Sequence, residues 1–152
     1  GAERQDSVRK ALDALSAETR LCAIHDAARP FVNAEAIEAS FTAAATYGAA
    51  TVALPTIDTV LIGDDESFLQ DTPDRKTVWS CQTPQTFQVD IIRAAHADAL
   101  AKGFQGTDDA TLVRRFGHPV KLVHGAPSNL KVTTPTDLVF AEAIIEKNLS
   151  CA

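Results

Sequence analysis

Residues 21–30 read LCAIHDAARP. An apolar run of four, LCAI, meets an abrupt change of polarity. A run this short, bounded this sharply, predicts a buried β-strand. The strand would deliver Asp26 and Arg29 at its carboxyl end, where open α/β sheets bind their ligands. Taken alone, an Asp and an Arg three residues apart also read as a strand-end ion pair.

The elements on either side of this stretch set the fold class. Upstream, residues 4–16 place Val8, Leu12 and Leu15 on one helical face. Downstream, residues 34–47 carry Ile37 and Phe41 at i,i+4 spacing and stop at Gly48. Residues 50–56 read as a second strand, and residues 58–63 and 76–84 as two more of β-type composition. The polar stretch between these two reads as a loop or hairpin excursion. Residues 88–102 predict a helix stopped by Gly103, and residues 107–116 another that Thr107, Asp108 and Asp109 would start and Gly117 would end. A strand at 120–123 and a final helix follow, with Thr134 as cap, Pro135 at the first position and Asp137 three residues after the cap. Alternating strands and helices predict a doubly wound, mostly parallel, Rossmann-like α/β sheet. Residues 58–87 interrupt the alternation and predict a projecting antiparallel β-arm.

The 152 residues suit one domain. A net charge of −6 argues against general adhesion to nucleic acid, so a bound phosphate must meet a local basic site. No apolar run approaches the roughly 18 residues that span a bilayer, and no signal peptide is evident; the expected location is the cytoplasm. Cys22, Cys81 and Cys151 form no CxxC pair, which suggests neither a zinc knuckle nor a disulfide framework. His25, His96, His118 and His124 lack the spacing of metal ligands. Neighbouring strand residues face opposite ways, which argues against a His25–Asp26 dyad.

Other candidates are weak singly. Lys131, between a strand and a capped helix, is a compact charge suited to a phosphoryl group, or else a surface loop lysine. Thr83 precedes Pro84, which fixes the backbone around it. Thr107 would open a helix, where N–H groups attract anions, and both threonines equally suit turn or cap duty. Arg75 follows a turn on the arm and gains interest only if the arm reaches a second subunit.

The order of the motifs is more specific than any one of them. RQDSV at 4–8, HDAARP at 25–30, PTIDT at 55–59, QTPQTF at 82–87, TDDA at 107–110 and NLKVTTPTDL at 129–138 occur in sequence. Together they resemble the 2-C-methyl-D-erythritol 4-phosphate cytidylyltransferase family from Gly1 to about Lys147. The resemblance implies transfer of a cytidylyl group from CTP to the polyol phosphate, with release of pyrophosphate, in non-mevalonate isoprenoid precursor synthesis. The related ribitol 5-phosphate enzymes, which usually differ within HDAARP, rank second. A non-catalytic dimerising module is the alternative from another class.

The resemblance also implies roles. Gly1, Ala2 and Ser7 would meet the cytosine and ribose of CTP, although Ala2 stands where the family often has Asp or another polar residue. Asp26 and Ala27 would lie where the two substrates join. Arg29, Thr59, Thr83, Thr107 and Lys131 would form the methylerythritol phosphate pocket, and Arg75 would reach the partner subunit's phosphate from the dimer arm. Lys131, Asp26 and Arg75 would take part in the reaction. The attacking phosphate oxygen is already anionic, so positioning and charge neutralisation suffice. Mg²⁺ would be held mainly through the CTP phosphates. A fused or associated cyclodiphosphate synthase is a further implied partner. The family's Gly-rich, phosphate-wrapping loop has no match in these residues, which therefore look N-terminally truncated. The expectation is that they have little transferase activity by themselves.

Overall fold

The computed structural model describes residue 1 and residues 3–147; Ala2 and residues 148–152, with Cys151, lie outside the described residues. In chain order the elements are α1 (Arg4–Asp13), β1 (Leu21–Ile24), α2 (Ala34–Tyr47), β2 (Ala49–Pro55), β3 (Ile62–Gly63), β4 (Leu69–Asp71), a 3₁₀ turn (Arg75–Thr77), β5 (Trp79–Gln88), α3 (Val89–Ala101), α4 (Asp109–Arg115), β6 (Lys121–His124) and α5 (Pro135–Glu146).

The main sheet runs β1-β5-β2-β6. β2 and β6 are parallel, with Ala50 opposite Lys121. β5 is antiparallel to both β1 and β2. Three strands therefore point one way, and β5 runs against them between β1 and β2. The mixed α/β architecture agrees with the sequence reading, with this one strand reversed. The arm is the small β3–β4 hairpin, antiparallel and separate from the main sheet.

β5 is the element the sequence disguises. Gln82, Thr83, Gln85 and Thr86 are all buried, and so is Phe87. The sequence predicts a strand that stops at Pro84, because proline cannot donate to a ladder; the structure carries it on to Gln88. Here β2 shifts register between Thr51 and Ala53, which face Gln85 and Cys81. Pro84 sits in that irregularity and beyond the end of the β1 pairing, so its missing N–H leaves no ladder bond open. The buried polar side chains are satisfied locally. Thr86 meets Ser40 at 2.8 Å, for example, pinning α2 to the strand. β5 accordingly starts at Trp79 and extends to Gln88 rather than spanning 76–84. The predicted strand at 58–63 shrinks to Ile62–Gly63.

Helix ends follow their capping chemistry. α2 closes on Gly48 at φ 86°, the left-handed region glycine tolerates. α5 has a full capping box between Thr134 and Asp137, with Pro135 at its first position. α4 is capped by Asp108, whose side chain accepts from Thr111 N–H, so Thr107 lies outside the helix. α1 ends at Asp13 rather than at residue 16. The core gathers Leu12, Ala49, Phe87, Ile92, Ala95, Ala99, Leu112 and Val113 between α1, α3, α4 and the sheet. β1 is less buried than its composition predicts: Ala23 is exposed and the other three residues are half-buried. Among the described residues β1 pairs on one side only, with β5. No helix among the described residues is long and apolar enough to cross a membrane.

Candidate functional site

The turn after β1 and the loop before α5 meet over the middle of β5. One backbone bond, from Val132 N–H to Ala28 C=O at 2.8 Å, ties the two loops together. Asn129, almost fully buried, donates to Thr83 C=O at 2.9 Å and to Gln82 Oε1 at 3.2 Å. Gln82 in turn donates to Ala126 C=O at 3.0 Å. Gly125 packs so closely on Gln82 that a Cβ there would overlap the Gln82 amide. These bonds fix the loop that carries Lys131.

A cavity of about 200 Å³ opens where the loops converge, lined by Arg4, Asp26, Arg29, Cys81, Gln82, Thr83, Gln85, Thr107, Asp108 and Lys131. Three cations face two carboxylates, so the site is locally basic within an acidic chain. Lys131 Nζ lies 3.0 Å from Asp26 Oδ2, with 47% of the Lys131 side chain exposed. A pair this open contributes on the order of 0–1 kcal/mol to stability. An incoming anion can therefore displace it at little cost. Arg29 is different. Its Nη1 donates to Asn129 C=O at 2.7 Å and its Nη2 to Cys81 C=O at 3.3 Å, while Nε stands 3.9 Å from Asp26 Oδ2. Both terminal nitrogens of the Arg29 guanidinium are thus engaged in holding the cavity wall. Burial pushes the Cys81 thiol up from its ordinary value, outweighing a hydrogen bond from Thr51 that lowers it.

Five residues singled out in the sequence, Asp26, Arg29, Thr83, Thr107 and Lys131, meet in this one cavity. The others do not line it. Thr59 is exposed on the segment leading to the arm. Arg75 is exposed and donates to Ile57 C=O at 3.1 Å. Gly1, Ser7 and Ala27 are exposed, and Ser7 Oγ donates to Glu3 C=O at 3.2 Å. Ala2 lies outside the described residues. His25 and Asp26 form no dyad: the ring Nδ1 of His25 meets Thr83 Oγ1 at 2.9 Å instead.

Sequence reasoning missed Arg4, Gln82, Gln85, Asp108 and Asn129. All five stood in the quoted motifs; what the sequence did not show was that the hydrogen bonds among β5, α4 and the loop before α5 bring them to one cavity. A larger, shallow depression of about 670 Å³ lies near Phe104, Arg114, Arg115, Val120 and Leu122. It is mainly apolar and gathers none of the predicted residues.

No group of three or more His, Cys, Asp or Glu side chains among the described residues could hold a metal ion. At the cavity, Asp26 is paired to Lys131 and Asp108 caps α4. These two carboxylates by themselves do not make a divalent-cation cage.

A mixed α/β domain whose strand ends and adjoining loops present arginine, lysine and threonine around a small polar cavity belongs to the phosphate-handling α/β class. The family model for 2-C-methyl-D-erythritol 4-phosphate cytidylyltransferase matches residues 1–147. A protein of that name from Caldanaerobacter subterraneus subsp. tengcongensis is 47% identical over 147 residues, which are 97% of this chain and 65% of the relative. Another from Symbiobacterium thermophilum is also 47% identical, over 97% of this chain and 62% of the relative. Among solved structures, the 4-diphosphocytidyl-2C-methyl-D-erythritol synthase of Anaerococcus prevotii superposes with a TM-score of 0.90 at 36% identity, covering 96% of this chain and 65% of that one. The chain belongs to the 2-C-methyl-D-erythritol 4-phosphate cytidylyltransferase family. It spans less than two thirds of the length of these curated relatives.

Proposed function

We propose that this chain supplies the polyol-phosphate half of a cytidylyltransferase that joins CTP to 2-C-methyl-D-erythritol 4-phosphate and releases pyrophosphate. The observation that carries the reading is the convergence of Asp26, Arg29, Thr83, Thr107 and Lys131 on one cavity in a chain of this family. The polyol phosphate sits between Lys131 and Thr107. Lys131 leaves Asp26 to meet phosphate charge, and Asp26 is then free to accept from a substrate hydroxyl. A phosphate-monoester oxygen attacks the α-phosphorus of CTP; the new P–O bond forms as the bond to pyrophosphate breaks. No side chain need remove a proton, and the cavity offers no acid–base pair. Mg²⁺ enters as part of the nucleotide substrate.

The arm belongs to the same proposal. Ile57, Leu61, Phe68 and Leu69 are each 60% or more exposed on or beside the β3–β4 hairpin. A two-stranded ribbon this short is not stable alone. A second copy of the chain covers these residues and brings Thr59 and Arg75 towards the neighbouring cavity.

The test is pyrophosphate release from CTP by the protein that carries these residues. It should favour methylerythritol phosphate over ribitol 5-phosphate by about tenfold or more, as expected when a site's polar groups are matched to one substrate. A folded protein that transfers nothing, or that prefers ribitol 5-phosphate, overturns the reading.

A further inference from the structure

Asp109 is fully buried; its Oδ1 is hydrogen-bonded, while its Oδ2 has no hydrogen-bond partner among the described residues and only an ion-pair contact. Oδ1 lies 2.9 Å from His96 Nε2, and His96 is itself only 2% exposed. Oδ2 lies 2.8 Å from Arg4 Nη2. Its backbone N–H donates to Gln85 Oε1 at 3.0 Å. α1 and α3 thus meet the Asp109 carboxylate at the start of α4, and β5 meets the backbone of the same residue. Charge burial of this kind is weak evidence for stability, since desolvation offsets most of the attraction. What it does supply is orientation.

The oriented group is Arg4. Its side chain is 41% exposed and lines the cavity beside Thr107 and Lys131. A guanidinium has five donors in a rigid fork. Apart from the contact with Asp109, the Arg4 side chain makes no hydrogen bond among the described residues. Arg29, by contrast, is 13% exposed and already bonded to two carbonyls. Arg29 keeps one buried donor, Nε, without a hydrogen-bond partner among the described residues, but Arg4 is the more exposed of the two and has more donors unengaged, and its fork suits a phosphate monoester.

We infer that Arg4 contacts the phosphate of the polyol-phosphate ligand in this cavity, and that Asp109, braced by His96, is the residue that positions it. The inference rests on the proposed function for the nature of the ligand. It adds a substrate contact from α1 and a positioning residue from α4; both lie in the quoted motifs, RQDSV and TDDA, but neither had been assigned a role at the site.

Calorimetric titration of the chain with 2-C-methyl-D-erythritol 4-phosphate tests both. Arg4→Ala should weaken binding about tenfold or more, the scale of a charged hydrogen bond. Asp109→Ala should weaken it similarly, and the double variant no further than either single one, because both changes remove the same contact. If Asp109→Ala loses its thermal transition, Asp109→Asn, which keeps the shape, takes its place in the cycle. Wild-type affinity in Arg4→Ala overturns the contact. Additive losses overturn the positioning role, since Asp109 would then act through the fold at large. Failure of the wild-type chain to bind overturns the functional reading itself, a result distinct from both.

Discussion

Thr83 Oγ1 accepts the backbone N–H of Asp26 at 3.0 Å, bridging the middle of β5 to the turn that follows β1. The same hydroxyl meets His25 Nδ1 at 2.9 Å. Thr83 is thus engaged in shaping the turn that carries Asp26, in place of standing free for a ligand. Thr83→Val keeps the volume and leaves the part-buried Asp26 N–H without an acceptor. It should cost about 1–3 kcal/mol in urea unfolding. Thr83→Ser, which retains the hydroxyl, should recover most of that loss. Equal stability of Thr83→Val and the native chain would show that the bridge carries no weight.

Gln85 makes a parallel case deeper in the strand. Its Oε1 accepts from Asp109 N–H and Ala110 N–H, both at 3.0 Å, at the start of α4. Gln85→Leu leaves two donors without a partner at a site 1% exposed. Each costs about 1–3 kcal/mol when buried and unpaired. The variant should lower the urea midpoint and weaken amide exchange protection in α4 before α5.

How far the sequence revealed these relationships depended on the element. α2, α3 and α5 were legible, because apolar spacing and the Gly48 and Thr134 signals agree with the local fold. β5 was legible only in its first half, through the strand predicted at 76–84; its extension to Gln88 was not. Its buried residues include Gln82, Thr83, Gln85 and Thr86, whose partners lie dozens of residues away in α2, α4 and the loop before α5. Periodicity in one strand cannot report hydrogen bonds to other elements. The same gap hid Gln85 and Asn129 as supports of the cavity and made Arg29 look freer than it is. Asp26 and Lys131, weak candidates singly, were legible through the order of the motifs that contain them. Their 3.0 Å pairing required the fold.

Burial pushes the Cys22 thiol up from 9.0 to about 11, with the Asp109 charge adding to the shift and Arg93 opposing it. Below pH 9 the thiol is neutral in both folded and unfolded chains, so its stabilising contribution is fully present. As pH rises from 9 towards 11 the unfolded chain ionises first and that contribution is lost. Unfolding measured from pH 8 to 11 should show falling stability, with a shallower fall in Cys22→Ala. Alkylation of Cys22 at pH 8 should also be slow, since the thiolate is the reactive form. Rapid labelling there would contradict the shift.

The arm proposal makes a separable prediction. Phe68 and Leu69 are 66% and 64% exposed at the end of the hairpin. Sedimentation at micromolar concentration should find a dimer, and Phe68→Glu with Leu69→Glu should shift it to monomer while leaving the unfolding midpoint within about 0.5 kcal/mol, as for surface substitutions generally. A monomeric native chain, or a dimer indifferent to both changes, would remove the arm from the interface.

The central claim is that the cavity between β1 and the Lys131 loop is where the polyol phosphate binds. Amide chemical shifts recorded while 2-C-methyl-D-erythritol 4-phosphate is added test it most directly. The account predicts saturable shifts at Asp26, Arg29, Thr83, Thr107 and Lys131, much reduced in Lys131→Ala. Shifts centred on Phe104, Arg115 and Leu122, or no saturable shift at any concentration, would contradict it.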